Sequence, residues 1–236
     1  MGRVVVIGLG GIGTNLVESV SRCIVFSGLS SDYTRILLVD GDKYEERNRE
    51  RQRFGVCANK AEATKEWLLP LFPELVFEAK PYFMDSSNVF ALIREGDLVF
   101  LAVDNHATRK AISQHLCSLN NVWCVSGGND LYDGNVQVYQ KKDGKELFPP
   151  FTWRHPEIEH PKDKNPAEKS CEELAQAGEP QLLSVNDTIA SLMLGAFTQW
   201  FLKLPRRYHE VYFDIRTGNV RPVYTEWPLT DTKSSC

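Results

Sequence analysis

A glycine-rich turn sits between a strand and a helix near the start of the chain, and few architectures accept that order. Arg3–Gly8 (RVVVIG) is a short β-branched run that reads as a buried strand. Gly8-Leu9-Gly10-Gly11-Ile12-Gly13 fits the spacing GxGxxG, Thr14–Phe26 reads as a helix, and Arg35–Asp40 (RILLVD) reads as a second strand. In this pattern the first glycine makes the tight turn, the second lets a phosphate approach the backbone, and the third packs helix against strand. The helix N-terminus then favours an anion. The expectation is an α/β fold, a Rossmann-like and mostly parallel sheet. The loop does not choose its ligand: Asp40, ending the second strand, suits ribose hydroxyls, so NAD, FAD and ATP all stay open. A tight turn with no ligand is the bland alternative.

The rest of the chain extends this pattern. Helices are expected at Lys60–Leu71, Ser86–Arg94 and His106–Leu119, and strands at Leu75–Lys80, Asp97–Val103 and Val122–Ser126. Asn135–Gln140 alternates and reads as an antiparallel strand. From 141 to 180 the character changes to prolines and charges, which reads as a long irregular excursion. Gln181–Leu204 returns to an apolar helix, and Val211–Ile215 with Val220–Thr225 reads as a closing hairpin around Thr217-Gly218-Asn219. The 236 residues suit one domain, with a nucleotide-binding part at 1–140, the excursion at 141–180 and a closing helix and hairpin at 181–228.

Composition removes several classes of function. The net charge of −4 supplies no basic excess for general nucleic-acid binding. No apolar run approaches the roughly 18 residues of a membrane span, and no signal peptide is expected. The six cysteines form no CxxC pair, so a knuckle-type zinc site is not expected; a cytoplasmic setting with reduced thiols is.

The segment Val39–Lys60 (VDGDKYEERNRERQRFGVCANK) is richer than a dehydrogenase needs. Asp42 stands two residues beyond Asp40, Asn48, Arg51 and Gln52 follow as N-x-x-R-Q, and Lys60 opens the next helix. A second acid beside a phosphate site would repel a pyrophosphate unless a cation intervenes. Arg51 and Lys60 supply fixed positive charge, and arginine's planar fork suits bidentate phosphate contact. A solvated charge run is the bland alternative.

These residues carry a resemblance. GLGGIG at Gly8–Gly13, LVDGD at Leu38–Asp42, NRERQ at Asn48–Gln52, NKAEA at Asn59–Ala63 and AVDN at Ala102–Asn105 together resemble the ThiF/MoeB/ubiquitin-activating-enzyme superfamily, in a compact bacterial-type form. The later SCEEL and AGEPQLLSVNDTIASLML resemble the family's crossover loop and following helix. The resemblance implies ATP-dependent adenylation of a carboxylate, usually the Gly-Gly tail of a ubiquitin-like protein. Carried over by position, the glycines Gly8, Gly10, Gly11 and Gly13 would line the nucleotide and Asp40 would bind ribose. Asn48, Arg51 and Lys60 would contact phosphates, and Asp104, with Asn105 beside it, would hold Mg²⁺. Asp42 would lie near nucleotide or metal, and Gln52 would support Arg51 or touch the nucleotide. By residue type alone, Asp104 would instead be the N-cap of the helix that follows.

The resemblance also points to Cys171, in the excursion, as the cysteine that could take the acyl group from the adenylate; a thiolate is the right nucleophile for a thioester. It implies a homodimer, a carrier with a Gly-Gly-type C-terminus and a conjugating enzyme. Sulfur-carrier activation of the thiamine or molybdopterin type, adenylation of a small molecule or peptide, and a non-catalytic scaffold beside an active subunit are the alternatives. Three departures stand out: no paired zinc knuckles, no N-terminal helical segment carrying an arginine to a partner's site, and no cysteine or ubiquitin-fold domain.

Overall fold

The computed structural model describes residues 2–28, 32–49, 52, 58–168, 181–205 and 207–224. Five parallel strands come first: β1 (Val4–Ile7), β2 (Arg35–Val39), β3 (Val76–Lys80), β4 (Leu98–Leu101) and β5 (Val122–Asn129). They lie in the order β3-β2-β1-β4-β5. β1, β4 and all but the first residue of β2 are buried at every position. A strand covered on both faces needs a continuous apolar run rather than alternation, and VVVI, ILLV and LVFL provide it.

Two hydrophobic clusters, one on each face, explain that coverage. Val4, Val6, Ile36, Leu38, Phe100 and Val125 point to one face. There they meet the helices α1 (Gly11–Phe26), α2 (Lys60–Leu68) and α6 (Leu183–Phe201). Val5, Ile7, Leu37, Val39, Val99 and Leu101 point to the other. They pack on α3 (Val89–Leu92), α4 (His106–Ser118) and α5 (Pro156–Glu159). On the first face Phe100, Trp123, Phe197 and Trp200 form a continuous aromatic contact chain.

Antiparallel strands extend the sheet: β6 (Asp133–Lys142) pairs β5, β8 (Tyr208–Asp214) pairs β6, and β9 (Asn219–Tyr224) closes the edge. The expected architecture is thus observed, with three local differences. Ser86–Arg94 was expected to be helical, but α3 covers only Val89–Leu92. Asp85 Oδ1 accepts from the backbone of Ser87 and Asn88, and Asn88 Oδ1 accepts from Asp85 N. Such local bonds compete with a helical turn.

The other differences lie in the excursion. Lys145–Phe148 forms β7, paired to β6 across a turn in which Asp143 and Gly144 both have positive φ, 51° and 74°. From 149 to 168 the chain then returns over the face of α4, anchored by the buried Phe151, His155, Ile158 and Asn165. No helix among the described residues is long and apolar enough to cross a membrane. Cys124 is buried in β5 with a free thiol, whereas Cys117, half-buried on α4, takes part in a disulfide, against the expected reduced state.

Candidate nucleotide-binding site

In an open α/β sheet the ligand crevice lies beyond the carboxyl ends of the strands where their order reverses. Here that point is between β1 and β4, the strands on either side of the reversal in β3-β2-β1-β4-β5. A pocket opens there, lined by Gly8, Gly10, Asp40, Asp42, Met84, Asp104 and Pro166, among others.

The glycine loop has the expected division of labour. Gly8 has φ +85°, and a Cβ there would stand 2.6 Å from the Ala102 carbonyl oxygen. A Cβ on Gly13 would come within 1.9 Å of the Gly8 carbonyl oxygen, so the start of α1 could not lie this close to β1. Gly10 is the N-cap of α1, without a side-chain cap, and a Cβ there would meet only Gln52 Nε2 at 3.8 Å. Gly11 is the first residue of the helix. The free N–H groups of that first turn are available to an anion.

Asp40 closes β2 onto this loop. Its Oδ2 accepts from Leu9 N at 2.6 Å and its Oδ1 from Asp42 N at 2.8 Å. Burial pushes its pKa up, opposed by the Lys60 charge and by both N–H donors. Lys60, 7 % exposed at the start of α2, places Nζ 2.9 Å from Asp42 Oδ2. Burial pulls the ammonium pKa down, but Asp40, Asp42 and the more distant Asp104 reverse this and leave it raised. One buried cation therefore stands in the field of all three acids around the crevice.

Asn59, to which no sequence motif assigns a role, does much of the holding. Its Oδ1 caps α2 by accepting from Ala61 N and Glu62 N, while its Nδ2 donates to the carbonyls of Asp40 and Asp42. An asparagine directly before a helix is an N-cap signal; the second set of bonds has no sequence signature.

Asn48 is buried, and its Oδ1 accepts from Glu45 N at 2.9 Å within a 3₁₀ turn. Gln52 N donates to the Asn48 carbonyl, and Gln52 Oε1 is buried without a partner. Arg51 and Cys171 lie outside the described residues. Across the crevice, Asp104 is exposed just beyond β4. It is not the helix cap; Asn105 is, its Oδ1 accepting from Thr108 N at 2.8 Å.

The returning segment covers this corner. Asp163 Oδ2 accepts from His106 N at 2.7 Å, and Asn165 Nδ2 donates to the Met84 carbonyl and to Thr108 Oγ1, both at 2.9 Å. Asp163 Oδ1 is buried and unpartnered. Among the described residues no group of three or more metal-ligating side chains stands together. A cation here would take a carboxylate or two and complete its shell with phosphate oxygens and water, as Mg²⁺ does.

The sequence matches the ThiF family over residues 1–232. This chain belongs to the ThiF family. It is 32% identical over 152 residues to ubiquitin-like modifier-activating enzyme 5 of Xenopus laevis, covering 57% of this chain and 36% of that protein. It is 30% identical over 140 residues to adenylyltransferase and sulfurtransferase MOCS3 of Drosophila virilis, covering 58% of this chain and 29% of that one. The ThiF-family chain thus spans about a third of the length of these relatives. In fold it is similar to E. coli MccB crystallised with AMPCPP and MccA, at TM-score 0.71 and 17% identity, over 94% of this chain and 63% of that one. PaaA is similar at TM-score 0.69 and 15% identity, over 95% and 73%. Among the site residues of this ThiF-family chain, Gly8, Gly10, Asp40, Asp42, Asp104 and Asn105 line one crevice, and Lys60 is paired to one of them, Asp42.

Proposed function

We propose that this ThiF-family chain binds ATP in the β1–β4 crevice and adenylates the C-terminal carboxylate of a carrier protein, ubiquitin-like or sulfur-carrying, that ends in Gly-Gly. The observation that carries this reading is Lys60: a buried ammonium at the start of α2, paired with Asp42 and in the field of Asp40 and Asp104. A dehydrogenase site needs one acid for the ribose and neither the second acid nor the lysine.

The reaction explains the charges. A carboxylate oxygen of the carrier attacks the α-phosphorus, the α–β phosphoanhydride bond breaks, and pyrophosphate leaves. Negative charge concentrates where two anions meet, so preorganised donors and cations lower the barrier. In this reading the first-turn N–H groups of α1 and Lys60 face the phosphates, Asn48 and Arg51 add to them, and Asp40 takes the ribose. Asp104 would hold Mg²⁺ together with phosphate oxygens and water; the ion when bound would neutralise phosphate charge.

Beyond the adenylate, Cys171 is the proposed acyl acceptor. Its thiolate would attack the acyl carbon, AMP would leave, and a conjugating cysteine would receive the thioester. The likeness to MOCS3 favours a second outcome, in which a sulfur donor attacks the adenylate instead.

ATP–pyrophosphate exchange with carriers ending in Gly-Gly tests the reading. Exchange that needs the carrier and disappears in Asp104→Ala supports adenylation. Absence of exchange with every carrier would favour a non-catalytic scaffold. A thiol-sensitive adduct lost in Cys171→Ala separates conjugation from sulfur transfer.

A further inference from the structure

Arg109 is a cation that the nucleotide site does not use directly. It stands one turn into α4 and is 6 % exposed. Its Nη2 donates to the Val103 carbonyl at 2.6 Å and to the Gly127 carbonyl at 2.8 Å, and its Nη1 to Ser126 Oγ at 2.5 Å. All three acceptors are neutral. Burial drives its pKa down to about 10, although Asp104 and Asp163 pull the other way. A buried charge held by dipoles alone is costly, and a neutral side chain could bridge two carbonyls more cheaply.

The positions of the acceptors suggest what offsets that cost. The Val103 carbonyl belongs to the residue immediately before Asp104. Ser126 and Gly127 lie in β5 where its pairing with β4 ends. The guanidinium fork thus ties the turn that carries Asp104 to the neighbouring strand, with Asp104 and Asp163 as the nearest charges that favour it. The fit is close: a Cβ on Gly128 would stand 2.7 Å from Arg109 Nη2. Nη2 holds both carbonyls while Nη1 holds Ser126, a planar set of three contacts that a lysine ammonium cannot reproduce from the same positions.

We propose that Arg109 is a positioning residue for Asp104: its guanidinium fixes the backbone immediately before that carboxylate against β5. The inference rests on the ATP reading above. Without the fork, the turn after β4 loses its tie to β5 and the carboxylate its fixed position.

Calorimetric titration tests this on Arg109→Lys, which keeps the charge and loses the fork. Three quantities are read: AMP affinity, the gain in ATP affinity on going from EDTA to saturating Mg²⁺, and melting temperature. The variant should keep AMP affinity and lose about 10- to 100-fold of the Mg²⁺-dependent gain, the usual effect of removing an outer partner of a metal ligand. An unchanged Mg²⁺ gain overturns the proposal. So does an equal fall in AMP affinity and Mg²⁺ gain, the mark of a merely structural role. If Arg109→Lys does not fold, Ser126→Ala cuts one guanidinium contact and carries the same test, with a smaller loss expected and an unchanged gain contradicting it. Wild-type protein that binds no ATP would instead overturn the ATP reading, and this inference with it.

Discussion

The two halves of the sheet treat charge in opposite ways. Around the parallel half, charged and polar groups converge on a crevice and leave capacity unused. Asp104 is exposed, the first turn of α1 has no side-chain cap, and Gln52 and Asp163 each keep a buried oxygen without a partner. In the antiparallel half a buried cluster satisfies itself. Glu210, 1 % exposed, accepts from Asn135 at 2.7 Å and faces His155 Nε2 at 2.8 Å, while His155 Nδ1 meets Glu157 at 2.6 Å. Buried polar groups are normally paired, so those left short of partners around the crevice are open to a ligand, whereas the His155–Glu210 cluster has its needs met by the scaffold. The cluster holds the His155–Glu157 part of the returning segment to the sheet, whereas Asp163 and Asn165 are held at the crevice by their own bonds to His106, Met84 and Thr108.

Substitutions should fall on one side of this division or the other. His155→Ala leaves Glu210 buried without its counterion and should cost about 3–5 kcal/mol of stability, read by urea unfolding. ATP affinity of the folded fraction should hold. Lys60→Met should do the reverse, lowering ATP affinity by about 10- to 100-fold, as expected for losing a charged hydrogen bond worth about 1.5–3 kcal/mol. Its melting temperature should change little by comparison. A Lys60 variant that only unfolds, or a His155 variant that only loses ATP, would break the division.

Asn186 tests the rule from another direction. It is fully buried on α6, and neither amide atom has a partner. Asn186→Leu, which keeps the branched four-atom shape without the polar atoms, should raise stability by about 1–3 kcal/mol in thermal unfolding, because the unpaired amide already bears its desolvation cost. A loss of stability would mean that the amide is satisfied in solution.

The smallest effect is in pH. Burial lowers the His155 pKa, but Glu210 and Glu157 outweigh it and leave the value raised above 6.5. Its contribution is therefore full below 6.5 and is lost as pH rises through the higher value of the folded state. For Glu210 burial raises the pKa and His155 brings it below 4.5; that contribution is full above 4.5 and lost as pH falls through the lower value. His209, lowered by burial and by Arg154, opposes stability as it charges below 6.5. The profile of wild type minus Glu210→Gln isolates the cluster. It should be greatest between pH 4.5 and 6.5 and fall on either side, on the order of 1 kcal/mol per pH unit at most. A flat difference would remove the cluster from the account.

The parallel half was legible in the sequence because its signals are local. Runs such as VVVI and LVFL mark buried strands, and the glycine spacing marks the turn that α1 requires. The site was legible where a residue's place follows from a strand end, as for Asp40, or a helix start, as for Lys60. What escaped depends on contacts far apart in the chain. Asn165 meets Met84, 81 residues away, and Asp163 meets His106, 57 away. Arg109 reads as an ordinary helix residue until β5 is placed beside it. β7 did have a local signal, the Asp143-Gly144 turn, which the surrounding charges and prolines obscured.

Calorimetric titration of ATP with Mg²⁺ into Lys60→Met and Glu210→Gln, beside wild type, tests the central claim most directly. The account predicts one ATP per chain in wild type, nearly the same affinity in folded Glu210→Gln, and about 10- to 100-fold weaker binding in Lys60→Met. Equal ATP affinity in wild type and Lys60→Met would contradict it.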